Sequence, residues 1–376
     1  MSSAEEAPAA QPRGRSAEPP AFTFDDLDKR IIACLRADGR ASWTDIAKRC
    51  GTSVATVSRR GQRLLADSTV QVAVVPTTTH PGHSSMFFLR MVCRSGMQGR
   101  VAEALAGSPD IRFLALVTGR YDIAAEVCVD NGNSVIGQLI SKIQEIDGVE
   151  WCETDLIVHQ YKVAQDWTWQ LLVGEAGSVT VADPHTCDDS HLDEADRRIV
   201  EVMRADGRAG FAGVASQVGM DETTVRRRFE AMLGRGCITV VTLAPASALG
   251  FTSEVLLDIS VEPRKLREVS ERLAAFAGVR FVAATLSSSS LLCEMIQPSQ
   301  DALFGFLTET LATLDGVHGW QASMELLTVR RGFVETPWWR RELEGHLGTP
   351  SRVSPATGKS PRPRVTRPLS GPARTR

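Results

Sequence analysis

Apolar positions along the chain change period part-way through, and the same change recurs later. Over 24–66 they fall every three or four residues, and Leu27, Ile31 and Leu35 form one helical stripe. Asp25 and Asp26 favour the start of that helix through its dipole, and Asp38-Gly39 supplies a stop. A short helix from Thr44 to Arg49 follows, then the turn Cys50-Gly51-Thr52. A third helix, capped by Ser53, runs to about Leu65. Beyond it the period shortens. Strands are predicted over 69–75 and 86–92, a helix over 97–107 and strands over 111–117 and 123–129. A helix over 134–146 and a strand over 150–159 complete the unit.

Residues 24–60 align without a gap on 192–228 at a constant offset of 168, sixteen of the thirty-seven positions being identical. The run RADGRA stands at both 36–41 and 204–209, and Asp147-Gly148-Val149 meets Asp315-Gly316-Val317. Solenoid units run roughly 20–50 residues, so this period marks a duplicated multi-element module. The second copy predicts helices over 193–205, 212–217 and 221–234, the last capped by Asp221. Its later elements fall at 253–261, 264–277, 279–286, 290–297, 300–314 and 318–330.

The fold class expected is α+β: two copies of a (winged) helix-turn-helix domain, each followed by a ferredoxin-like βαββαβ effector domain. The expected domains are 23–68 and 69–162, then 191–236 and 237–335, with a linker at 163–190. Tails 1–22 and 345–376 read as disordered, the second one basic.

The chain has 376 residues and a net charge of −3, so any nucleic-acid surface must be local. No apolar run is long enough for a membrane span, and none near the N-terminus reads as a signal peptide. The eight cysteines form no C-x-x-C pair and read as buried hydrophobes of a reducing compartment. The expected location is therefore cytoplasmic and nucleoid-associated. Asp183, His185, Cys187, Asp188, Asp189 and His191 offer metal-ligand types without a recognised spacing, and a polar linker explains them better. No catalytic residue, metal site or cofactor is assigned.

On a helical wheel, Val54, Val57, Gly61, Leu64 and Leu65 face one side of the third helix. Arg59, Thr56, Gln62 and Arg63 face the other, with Ser58 and Arg60 on the flanks. Helices of this kind set N-terminal side chains against base edges in the major groove while basic neighbours hold phosphates. A solvated charged face is the plainer reading, yet residues 24–70 carry nine bases to six acids in an acidic chain. The candidate DNA-binding residues are Ser53, Thr56, Ser58, Arg59, Arg60 and Arg63 in the first copy. In the second they are Thr223, Thr224, Arg226, Arg227 and Arg228.

These residues carry a resemblance. Leu192-Asp193, Asp196-Arg197-Arg198-Ile199, Asp206-Gly207-Arg208, Val214-Ala215, Gly219 and Thr224-Val225 resemble the Lrp/AsnC family of transcriptional regulators, as do their first-copy counterparts. The turn Gly119-Arg120-Tyr121-Asp122 is similar to that family's effector loop, which implies Gly119, Tyr121 and Asp122 as effector-binding residues. A hairpin turn alone also explains them. The resemblance implies a regulator that binds double-stranded DNA, is modulated by a small molecule such as an amino acid, and is not an enzyme. It also implies two subunits fused into an internal pseudo-dimer, the two sheets paired face to face, with room for a higher homo-oligomer. Alternatives are a siroheme-decarboxylase-like enzyme on the same fold, although 111–117 lacks the histidine such enzymes carry, or a sensor that no longer binds DNA.

The copies differ. Gly61 stands where the second copy has Phe229, which reads as a lost core anchor and a less firmly held first head. On that reading Gly61→Ala stabilises the first domain and Arg227 outweighs Arg59 in DNA binding. In turn, Ser287 to Ser290 replace Gly119 to Asp122, so the second effector turn reads as altered or silent.

Overall fold

The structure is a computed structural model that describes residues 24–77, 84–130, 137, 146–163, 171 and 192–347. The expected helix 134–146 and the linker with its Asp/His/Cys stretch lie essentially outside the described residues.

The first copy opens with α1 (Asp26–Ala37), α2 (Trp43–Cys50) and α3 (Val54–Ala66), capped by the side chains of Asp25, Ser42 and Ser53. Gly51 ends α2 in the left-handed conformation, which glycine adopts without a β-carbon penalty. The second copy repeats this as α5 (Glu194–Ala205), α6 (Phe211–Val218) and α7 (Glu222–Gly234). Each trio packs its own apolar stripe, around Ile31, Ile46 and Val57 in one copy and Ile199, Val214 and Val225 in the other.

The strand after each trio does not fold back as a wing. β1 (Gln71–Pro76) pairs antiparallel with β6 (Ile238–Leu243), joining the two copies through a two-stranded ribbon. Ala73 and Val241, equivalent by the 168-residue offset, are direct partners, so a pseudo-twofold axis passes between them.

The remaining strands are β2 (Ser84–Cys93), β3 (Ile111–Val117), β4 (Ile123–Asp130) and β5 (Val149–Val163), with α4 (Gln98–Ala106) between β2 and β3. The second copy supplies β7 (Ser253–Val261), α8 (Leu266–Ala275), β8 (Val279–Leu286), β9 (Leu291–Gln297) and β10 (Val317–Arg331). In place of the helix expected over 300–314 there is a short α9 (Gln300–Gly305), a π turn and a 3-10 turn.

The two effector halves do not form separate sheets packed only face to face. β5 pairs with β8 and β10 with β3, so the halves also join edge to edge. The order β10-β3-β4-β2-β5-β8-β9-β7 closes through a β7–β10 pairing into one eight-stranded, barrel-like sheet. Closure leaves neither half an open edge. Inside lie residues of both copies, among them Phe88, Phe113, Leu256 and Phe281, while α4 and α8 cover the outer faces.

After β11 (Val334–Glu335), a helix α10 (Trp339–Leu347) that the sequence pattern did not announce runs into the segment expected to be disordered. Its Trp339 and Leu343 pack on the first copy's outer core. Cys34, Cys50, Cys93, Cys128, Cys152 and Cys293 are free thiols, whereas Cys237 takes part in a disulfide, against the uniform reduced state expected.

Candidate nucleic-acid interface

Each third helix presents its first turns outward. Ser53 accepts the Thr56 amide at 3.2 Å, and Asp221 accepts that of Thr224 at 2.8 Å, so both caps fix the helix starts. Arg59 and Arg227 are equivalent by the offset, exposed, and without an ion pair among the described residues. Thr223 is exposed, whereas Thr56, Ser58 and Thr224 are half-buried. Arg226 is exposed, pairs with Glu222 at 2.9 Å and lies over the Phe211 ring at 4.8 Å. Val54 is 44% exposed rather than part of the core face.

The neighbouring arginines are engaged elsewhere. Arg60 bonds Asp25 at 2.5 Å and Asp28 at 3.0 Å, and Arg63 bonds the other Asp28 oxygen at 3.0 Å. Arg228 holds Asp193 at 2.8 Å and Asp196 at 2.9 Å, the same arrangement one offset later. The Asp28 amide and the Arg60 guanidinium hold the Asp25 carboxyl below its ordinary range, and Asp193 is held down likewise by the Asp196 amide and Arg228. These pairs tie α3 to α1 and α7 to α5. With Arg226 on Glu222, four of the eleven candidate residues therefore sit in intradomain ion pairs.

A second arginine set joins the two heads. Arg40 donates to the carbonyls of Gly207 and Ala209, the latter at 3.2 Å, and its guanidinium lies 4.7 Å from the Phe211 ring centre. Arg208 donates to Gly39 and Ala41 at 2.6 and 2.9 Å and lies 4.3 Å from the Trp43 ring. Each Asp-Gly-Arg motif thus grips the backbone of the other. The glycines are required by close approach: a β-carbon on Gly207 would lie 2.9 Å from the Ala73 backbone, and one on Gly39 2.7 Å from Val240. Sequence reading took Asp38-Gly39 as a helix stop; the signal for its further role was the identity of RADGRA in both copies.

The effector turn is held by its neighbours on β2 and β5. Gly119 has φ +97, a conformation that disfavours a side chain. Tyr121 is buried, bonds Glu153 through its hydroxyl and stacks on Trp151 at 6.0 Å. Asp122 accepts the Cys93 amide at 2.7 Å. In the second copy Ser290 takes over that last bond, accepting the Val261 amide at 3.1 Å. A cavity of about 230 Å³ opens instead where β6, β7 and β10 meet the C-terminal segment. Arg36, Glu254, Arg280, Glu325, Arg331 and Trp338 are among its walls.

Comparison with known proteins gives this geometry its family. The model of the AsnC-type helix-turn-helix domain matches residues 24–65 and 192–233, and that of the Lrp/AsnC ligand binding domain matches 86–166. An uncharacterized HTH-type transcriptional regulator of Pyrococcus furiosus is 30% identical over 145 residues, 38% of this chain and 97% of the relative. The chain belongs to the Lrp/AsnC family. The HTH-type transcriptional regulator LrpA of Pyrococcus horikoshii is 28% identical over 127 residues, 34% of this chain and 90% of its own. Both relatives are about as long as one copy, so this Lrp/AsnC chain is a tandem duplication. Among solved structures, the siroheme decarboxylase NirDL matches 86% of this chain and 100% of its own with a TM-score of 0.54. At 14% identity that likeness concerns the fold alone.

Proposed function

We propose that the protein is a sequence-specific, DNA-binding transcriptional regulator of the Lrp/AsnC type whose activity a small molecule modulates. The observation that carries this is the pairing of the two heads. Arg59 and Arg227 stand exposed at equivalent positions on helices related by one pseudo-twofold axis. Paired helix-turn-helix heads read half-sites about one duplex turn, or a multiple of it, apart.

In this reading Arg59 and Arg227, with Ser53, Thr56, Ser58, Thr223, Thr224 and Arg226 around them, meet the duplex. Arg60, Arg63 and Arg228 act mainly by orienting the reading helices. Ser58 and Arg226, like Gln62 and Glu230, differ in chemistry at equivalent positions, so the two halves of the site differ in sequence.

Each effector half is a ferredoxin-like unit within the boundaries given above, and the internal pair replaces the subunit dimer of single-module relatives. Gly119, Tyr121 and Asp122 would contact the effector, an amino acid by family analogy, in a protein acting on the nucleoid without catalysis. Binding selection against random duplex, followed by titration of the recovered site at several salt concentrations, tests the reading. An asymmetric site bound with a steep salt dependence is expected. A perfect palindrome would refute the asymmetry, and no salt-dependent duplex binding would refute the function.

The decarboxylase likeness gives a second reading its test. β3 (IRFLALV) carries no histidine. Siroheme titrated into the protein and followed by absorbance should leave the spectrum unchanged; saturable binding would favour the enzyme.

A further inference from the structure

On a twofold axis a residue meets its own equivalent, and one buried pair here does so with opposite charge. β2 and β7 stand opposite each other in the closed sheet. Arg90 of β2 and Asp258 of β7 are 168 residues apart, and they meet across the interior. Nε of Arg90 donates to Oδ2 of Asp258 at 3.2 Å and a terminal nitrogen donates to Oδ1. Their side chains are 5% and 14% exposed. Asp155, of the first half, also binds Arg90, and its equivalent in the second half is Ser323.

We propose that Arg90 and Asp258 form a charge code that makes the two barrel halves complementary to each other and incompatible with copies of themselves. Two second halves placed on this axis would bury aspartate against aspartate, with serine where Asp155 stands and no guanidinium from either β7. Two first halves would bring two guanidiniums to one point, each left with only its own Asp155. Exclusion is therefore stronger for the second half. A half with an apolar residue at this place would strand whichever charge it met, and an uncompensated buried charge is among the costlier defects a fold can carry. The surface thus fits one partner, the unlike half of this same chain, and rejects like halves by repulsion.

Charge exchange in the full-length chain tests this. Arg90→Asp and Asp258→Arg should each lower the melting temperature by about 10 °C and give species of abnormal mass, while the double variant should return to the wild-type mass and recover only part of the melting temperature, since Asp155 loses its guanidinium. Co-expression of differently tagged chains adds a readout that a general packing defect does not move. The Arg90→Asp chain should co-purify with the Asp258→Arg chain, because each supplies the charge the other lacks, and more so than either does with itself. Additive losses in the double variant, or equal co-purification in every combination, would overturn the proposal.

Discussion

Trp43 occupies the space that Gly61 leaves open: a β-carbon at position 61 would lie 2.3 Å from Cζ3 and 2.4 Å from Cη2 of the indole. At the equivalent places the second copy has Phe211 and Phe229, their rings 5.4 Å apart and tilted. One large ring and no side chain in the first copy do the filling that two medium rings do in the second. Gly61 is thus not a lost anchor, and the first head is not the looser of the two. Gly61→Ala is expected to destabilise the first domain by about 1–3 kcal/mol, the ordinary cost of overpacking, rather than stabilise it. Denaturant melts of Gly61→Ala with and without Trp43→Phe check this, since the smaller ring should recover most of the loss.

With both heads firmly packed, Arg59 and Arg227 should contribute comparably. Replacing either by alanine is expected to weaken binding to the selected site by ~1–3 kcal/mol at fixed salt, with no change in melting temperature. Arg60→Ala and Arg228→Ala should behave in the opposite way, lowering the melting temperature because each releases the half-exposed ends of two ion pairs. Fluorescence anisotropy and calorimetry on the same four variants separate reading from positioning. A loss of affinity in Arg60→Ala without loss of stability would return that residue to the duplex contact.

Arg40 and Arg208 grip each other's backbone turns across the axis, so they should govern how well the heads act together. Arg208→Ala frees the Gly39 and Ala41 carbonyls and removes the cation from the Trp43 ring. Affinity for a duplex carrying both half-sites is expected to fall roughly tenfold, while affinity for a single half-site stays level. Gel-shift titration with the two duplexes decides it, and equal losses on both would mean that the grip serves stability alone.

Much of this architecture was legible in the sequence because its elements are locally encoded. The 3.6-residue stripes, the Ser53 and Asp221 caps and the alternating strands gave most elements to within a few residues, and the repeat gave the duplication. What escaped was long-range. Period and capping are properties of one segment, whereas Trp43 filling the place of Gly61 requires knowing that α2 crosses α3 there. The partner of β1 lies 167 residues away on average register, and the ring closure depends on edges that no local pattern marks. Arg60 and Arg228 were visible as bases but not as bonded ones, since the carboxylates that hold them stand on another helix. Helix α10 was missed because it lies between the second effector domain, expected to end at 335, and the tail expected from 345, and the surface that receives Trp339 and Leu343 belongs to the distant first copy.

The barrel interior also carries a proton that should make stability fall as the solution becomes alkaline. Glu294 and Glu325 lie together beneath Arg280 and Arg331, which donate to both. Burial alone would raise Glu294, but Arg280 and Arg331 outweigh it and hold the carboxyl at about 2. Burial and the Glu294 carboxylate push Glu325 up to about 8 despite the same two arginines. Glu325 therefore keeps its proton in the folded chain through a range in which the unfolded chain, at the ordinary value of 4.5, has lost it. The folded state binds the extra proton, so its advantage is complete below the unfolded value and is lost as pH rises through about 8. Between roughly pH 6.5 and 8 one such proton corresponds to at most about 2 kcal/mol. Melting curves at constant ionic strength should show a matching decline, and Glu325→Gln, which keeps the shape and cannot ionise, should flatten it. A decline of the same slope in Glu325→Gln would place the proton on another group.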